Sequence, residues 1–528
     1  EAEMKGLTSD LFVHSALLSM YGKCGSTLEA EKVFSMVSHP DVVSGSAMLS
    51  AYLEQGQADN VLRLYRTMRH VDEQMFVVSL QALCILAEKS KPDGRPLKPE
   101  IEIGRGFDAD GRKRGFSSDI FLGSALVNMY GKCGQIAEAE NVFSRFSGKD
   151  VVLYNAMLAA YVEQGQGVRA LQLYRQMQEE GESPDHLSLM ISLQACGILA
   201  DREKVLIAKR KSVQSASLVM GQTLHADACK MSYMGNAFVT TALVSMYAKF
   251  GAVLEAEVVF GATYNRDLAM WNAMLTAYTE QGYGGKTLQL YAEMQTLGVI
   301  MDEITFTCCM QGCGETGCLD VCKQLHFSIM CAGYDNVHTI AASLINTYGY
   351  CASMLDGQAF FDTLSEPDYV TWTSCISGHA WHGSSITSLS MFDKLRLVGI
   401  KADEILLTTV LTACSHAGLL EEAFCQFKFM LRNHGVRPNP THYNCLIDLL
   451  GRLGYLDEAE ALLRTLPNLP DIVGWKSLLM SCKIHANIEL GRHCLNAAVQ
   501  SDPHDSSGYV LMSNIYADLE TCEIFVIE

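Results

Sequence analysis

A single pattern is written repeatedly along this chain, and repetition at that scale restricts the fold to a stack of like units. Residues 120–150 read IFLGSALVNMYGKCGQIAEAENVFSRFSGKD, and residues 151–185 read VVLYNAMLAAYVEQGQGVRALQLYRQMQEEGESPD. Each stretch has apolar residues at helical spacing, a glycine break, a second apolar run and a closing Asp, which predicts two antiparallel helices per unit. In the second stretch Val152, Ala156, Met157, Ala160 and Tyr161 are expected on one face of the first helix. Ala170, Leu171, Tyr174 and Met177 are expected to line the second helix, with Gly165 and Gly167 in the turn between them.

The same writing extends in both directions. Residues 1–10 read as the tail of a truncated repeat, because LTSD before Leu11 parallels FSSD before Ile120. Units then open at Leu11, Val42, Ile120, Val151, His186, Ala237, Leu268, Glu303, His338, Tyr369, Glu404 and Pro440, with one more between Val42 and Ile120. Three unit lengths cycle in fixed order, giving thirteen repeats over residues 11–471. The unit opening at Val42 lacks about four residues after Met68, so its closing residue is not evident. Pro, Gly and charge content predict a loop insertion near 87–103, and a second insertion near 200–219 stands at the corresponding place in the cycle. Units of this kind bury an apolar face only by stacking, so the expected fold is all-α, a right-handed superhelical α-solenoid of helix-turn-helix repeats.

Composition narrows the function. The 528 residues carry a net charge of −19, so no basic field covers the molecule and any nucleic acid must be met locally. The nineteen cysteines, among them Cys24, Cys133, Cys196, Cys414 and Cys482, are dispersed through helical patterns, which predicts reduced thiols in an intracellular compartment. No apolar run is long enough to span a bilayer, and no membrane partner is expected. With Glu1 first and no basic leader before the repeats, the chain reads as incomplete or as one whose import signal has been removed.

The strings MYGKCG…EAEKVF, MYGKCG…EAENVF, WNAMLTAY…LQLYAEMQ and LTACSHAGLLEEAF resemble the pentatricopeptide repeat family, in its plant-type PLS subclass. Residues 472–528 resemble its E-motif region, TPR-like and truncated: IVGWKSLLMSCKIHANIELGRHCLNAAVQSDP looks like a first E motif, and SSGYVLMSNIYAD like the start of a second. The resemblance implies a sequence-specific single-stranded RNA-binding protein that acts as a site-recognition factor for cytidine-to-uridine editing in a mitochondrion or chloroplast. A DYW-type deaminase, or other editing factors met through the E region, would be its partner. Deaminase chemistry needs a His-x-Glu and a Pro-Cys-x-x-Cys motif, and this sequence contains neither. No catalytic residue, metal or cofactor is expected, and the chain is expected to be monomeric.

The resemblance also places base reading on the fifth and last residue of each repeat. Transferred position by position, the pairs are Ser15/Asp41, Ser124/Asp150, Asn155/Asp185, Thr241/Asp267, Asn272/Asp302, Thr373/Asp403, Thr408/Asn439 and Asn444/Asp471. In the family's code Ser or Thr with Asp resembles a G reader, Asn with Asp a U reader, and Thr with Asn an A reader. Ser46 lacks an evident partner and Ala342 departs from the pattern. The implied site is G N N G U N G U N N G A U. Second residues such as Phe121, Val152, Phe238 and Val370 would wedge between bases. Each closing Asp also stands where a helix N-cap is favoured, and the two roles are compatible.

Other groups read as structural. Cys308, Cys309, Cys313, Cys318 and Cys322 lack zinc-finger spacing and fit a helix core. Trp271, Trp372 and Trp475 recur at the fourth position as packing residues. The runs Arg105, Arg112, Lys113, Arg114 and Lys209, Arg210, Lys211 are candidates for phosphate contact or for solvated loops. Two alternatives to editing remain: a factor for transcript stability or splicing, and a TPR-like protein-binding scaffold, which the acidic charge favours.

Overall fold

The computed structural model describes residues 11–36, 41–68, 70–90, 98–116, 119–207, 216–465, 472–502 and 505–526. The proposed repeat tail at 1–10 lies outside them. Among the described residues the regular structure is helical, and no helix is long and apolar enough to cross a membrane. The chain divides into two bodies, Glu1–Glu280 and Gln281–Glu528. Each is an α-solenoid of stacked helix pairs, and the boundary falls between the two helices of repeat 8.

In the first body, the first helices of successive repeats pack directly on one another, as Leu11–Lys23 does on Val42–Glu54 and Ile120–Lys132 on Val151–Glu163. Each second helix sits against the first helix of its own repeat and that of the next. The second body repeats this arrangement from Glu303–Thr316 to Pro440–Arg452, and closes with Ile472–Ile484, Ile488–Ser501 and Ser507–Val526. Trp475, Leu478, Leu479, Cys494 and Ile515 are core residues of this closing segment.

The MYGKCG string supplies both the packing and the turn. A Cβ added at Gly131 would come within 2.6 Å of the Ala160 Cβ, so the first helices of repeats 4 and 5 touch almost backbone to backbone. Gly134 then takes a φ of +75°, a left-handed turn that a side chain disfavours. Gly22 approaches Ala51 in the same way, at 2.7 Å.

A polar latch recurs one cycle apart. Tyr52, Tyr161 and Tyr278 donate to Glu31, Glu140 and Glu257 of the preceding second helix at 2.8, 2.9 and 3.0 Å. In the second body His379 and Gln358 hold the corresponding places, 2.9 Å apart. Trp271 and Trp372 are buried edge-on against Phe260 and Phe361, at 5.0 and 4.7 Å, as packing residues should be.

Three local expectations are revised. Gly165 is in the turn, with φ of +67°, but Gly167 opens the helix Gly167–Glu179, and a Cβ there would meet the Ala195 carbonyl at 2.7 Å. The predicted loops are narrower than 87–103 and 200–219, because helices extend over Glu73–Ser90, Lys98–Lys113, His186–Ile207 and Ala216–Lys230. Lys, Arg and Glu are good helix formers, and Pro99 falls in a first turn, where proline is tolerated. Cys308, Cys309, Cys313 and Cys322 are buried, and burial pushes the Cys313 thiol up to about 12.

Candidate nucleic-acid interface

Along a first helix the second, fifth, ninth and thirteenth residues share one stripe, and neighbouring first helices enclose grooves between these stripes. In the first body, a cavity of about 540 Å³ is lined by Ser15, Lys23, Val43, Ser46, Glu54 and Asp72. Another, of about 410 Å³, is lined by Met190, Gln194, Phe238, Thr241, Lys249 and Asp267. In the second body, a cavity of about 470 Å³ is lined by Thr307, Gln311, Ser343, Asn346 and Tyr350.

Second residues are exposed along these grooves. Phe121 is 71% exposed and Phe238 66%, with Val152 and Val370 also exposed. The same offset exposes Val43, Leu187, Ile304 and Ile405. Those four were legible from register alone, since each follows the residue that opens a repeat.

Fifth residues are recessed instead. Asn155 is 6% exposed and Ser124 8%, Asn272 and Asn444 are buried, and Ser15, Thr241, Thr373 and Thr408 are half-buried. The Ser124 hydroxyl donates to the Ile120 carbonyl at 2.8 Å, as Thr373 does to Val370 at 2.8 Å and Thr408 to Glu404 at 2.9 Å. With the proton committed to the helix, the oxygen is left as an acceptor through its lone pairs. Thr241 Oγ1 and Asn444 Oδ1 are buried without a hydrogen-bond partner among the described residues. An unpaired buried polar atom costs about 1–3 kcal/mol, and Thr241 lines a groove wide enough for a ligand to supply the partner.

Closing residues are caps at every described position of the proposed pairs. Asp41, Asp150, Asp267 and Asp403 accept the N–H of Ser44, Leu153, Met270 and Leu406 at 2.8–2.9 Å. Asp302 accepts from Thr305 and Asn439 from His442, each within a capping box. Asp471 lies outside the described residues. Asn155 and Asp185 meet directly: the amide donates to Asp185 Oδ1 at 3.1 Å, and that oxygen also accepts the Ser188 N–H at 2.8 Å. Burial works to raise the Asp185 carboxyl, but hydrogen bonding to Ser188 and to the Asn155 amide outweighs it and holds the carboxyl below its ordinary value. Thr241 and Asp267 line one groove. Asn272 belongs to the first body and Asp302 to the second, so that pairing rests on sequence. Ala342 is buried and offers no polar group.

Repeat 2 has a closing residue that the sequence pattern had not revealed. Asp72 accepts the Met75 N–H at 2.9 Å, caps the next first helix, and shares a groove with Ser46. The clue was the dipeptide Asp72–Glu73, which matches Asp302–Glu303 and Asp403–Glu404; the shortened spacing concealed it.

Positive charge on this face is partly spoken for. Lys132 bridges Glu88 and Glu163, the latter at 2.7 Å, and Lys249 meets Asp201 at 2.9 Å. Arg105, Arg112 and Arg114 lie on the second helix of repeat 3 or just beyond it, and pair with Glu138, Asp108 and Asp110. They do not join the first-helix face, and Lys209, Arg210 and Lys211 lie outside the described residues.

Comparison with known proteins finds family matches in both bodies. The PPR repeat family matches residues 149–197 and 266–315, the pentatricopeptide repeat domain 390–452, and the PPR repeat 12–37, 124–151, 370–400 and 441–468. Pentatricopeptide repeat-containing protein At5g39350 of Arabidopsis thaliana is 30% identical, over 97% of this chain and 72% of its own length. At1g11290, a chloroplastic relative from the same plant, is 28% identical over 97% of this chain, which spans 60% of it. Among solved structures, PPR10 in complex with an 18-nt psaJ RNA element aligns with a TM-score of 0.62 at 16% identity, over 96% of this chain and 77% of that one. At that identity the likeness is one of fold.

Proposed function

The chain belongs to the pentatricopeptide repeat family, and on that premise we propose that it binds single-stranded RNA sequence-specifically along the face formed by its first helices. The observation that carries this reading is the pairing of two rows on one face: exposed apolar second residues, and recessed polar fifth residues between them. Apolar side chains held in water in an acidic protein are suited to stack on unpaired bases, while recessed amides and hydroxyls reach base edges. With Ser46 and Asp72 added, the pairs imply G G N G U N G U N N G A U, written 5′ to 3′.

The finer role is recognition of a cytidine-editing site in an organellar transcript, with residues 472–528 engaging a DYW-type deaminase carried by another chain or by a following domain. Chloroplastic relatives support the compartment. In this reading the repeats supply specificity and the partner supplies the chemistry. A test is reconstitution of the chain with a deaminase domain on transcripts carrying this site just upstream of a cytidine. Conversion there, lost when the specified bases are exchanged, is the expected result. Selective RNA binding without conversion by any deaminase would favour the stability or splicing role.

A further inference from the structure

The thirteenth residue of a first helix lies three turns beyond the second and on the same stripe, because eleven residues return the helix to within about 20°. In three successive cycles this place alternates in charge between neighbouring first helices: Lys23 and Glu54, Lys132 and Glu163, Lys249 and Glu280. Lys132 and Glu163 bridge their two helices at 2.7 Å. The fourth cycle replaces the ion pair with Tyr350 and Trp381, whose ring centroids lie 6.1 Å apart with planes inclined at 42°.

These two rings are set up to receive something. Trp381 is 67% exposed and Tyr350 59%, whereas Trp271, Trp372 and Trp475 are buried. Tyr350 is braced from behind, since a Cβ added at Gly314 would meet its ring at 3.0 Å, and it lines the same groove as Thr307, the fifth residue of repeat 9. Repeat 10 itself has Ala342 in the reading position, so a base arriving there finds no hydrogen-bonding side chain from that residue.

We propose that Tyr350 and Trp381 form a stacking platform for a nucleobase of the bound single-stranded RNA at repeat 10, gripping the strand where it is not read. Every base has a π-face, so the platform holds any of the four and contributes affinity without specificity. The inference rests on the RNA-binding reading above.

The full chain is titrated with the thirteen-nucleotide RNA carrying 2-aminopurine at its unread tenth position, and separately at its unread third position as a control. Binding quenches the tenth-position probe. Trp381→Leu and Tyr350→Leu relieve the quench and weaken binding about fivefold or more, to the same degree with any base at that position, while Trp381→Phe retains both. Both Leu variants binding with unchanged affinity and unchanged quench would overturn the platform and leave RNA binding standing. If the unsubstituted chain binds no RNA, the broader reading fails and the platform with it. Because both side chains are exposed, helicity of the variants by circular dichroism matches the parent.

Discussion

Asn155 is fixed from two sides: its amide donates to Asp185 Oδ1 at 3.1 Å and its carbonyl accepts the Ser188 hydroxyl at 2.6 Å. The closing residue of repeat 5 therefore caps the next helix and orients the fifth residue of its own repeat in one arrangement. An amide has two N–H groups and two carbonyl lone pairs, so one donor and one acceptor remain for a base edge.

Exchange of that amide for a hydroxyl should change the base preferred. Asn155→Ser is expected to move preference at the fifth RNA position from U to G by about tenfold, the scale of one good polar contact. Paired titrations with RNAs differing at that one base measure it; unchanged preference would remove Asn155 from the reading set.

Lys132 should be only partly available to RNA, since Glu88 and Glu163 both hold it. Glu163→Gln is expected to strengthen binding and to steepen the dependence of log affinity on log salt by up to about 0.7, the value of one phosphate contact on a single strand. A slope that does not change would place Lys132 away from the backbone of the RNA.

Close packing at Gly131 makes a prediction about stability. Gly131→Val forces apart the first helices of repeats 4 and 5 and should cost about 1–3 kcal/mol, read as a fall in the denaturation midpoint. Gly148→Ala, where an added Cβ meets nothing, is the matched control and should leave the midpoint nearly unchanged.

Acid should loosen the stack before carboxylates titrate. Burial lowers the pKa of His225, His326, His379 and His442, with His382 adding to the shift at His379, while Asp335 and Asp356 oppose it at His326, Asp362 at His379 and Glu404 at His442. His225 and His326 each meet a tyrosine hydroxyl, of Tyr247 at 2.9 Å and Tyr348 at 2.8 Å. A histidine with a depressed folded pKa stabilises fully above its unfolded value of about 6.5, and that stability is lost as pH falls from there toward the folded value. The melting temperature is therefore expected to drop between pH 7 and 5, and a His225→Gln, His326→Gln double variant should show a shallower drop.

Much of this was readable from the chain because helical periodicity and register survive local divergence. The helix pairs, the caps and the packing tryptophans follow from spacing that recurs in every cycle. Asp72 was hidden by a deletion that broke the count, although its cap geometry is ordinary. Trp381 was hidden for a different reason: its three sister tryptophans sit at the fourth position, and only placement on the exposed stripe sets it apart. The inserts misled because a charged stretch, in the first of them with proline, serves equally well as a loop or as an extended helix end until packing decides.

The most direct test is binding of the full chain to an RNA carrying G G N G U N G U N N G A U, across a salt series, beside the same RNA with every specified G and U exchanged. The account predicts selective binding that persists at moderate salt, with the exchanged RNA at least about tenfold weaker. Equal or absent binding to both RNAs at low and moderate salt would contradict it and move the assignment to a protein-binding scaffold.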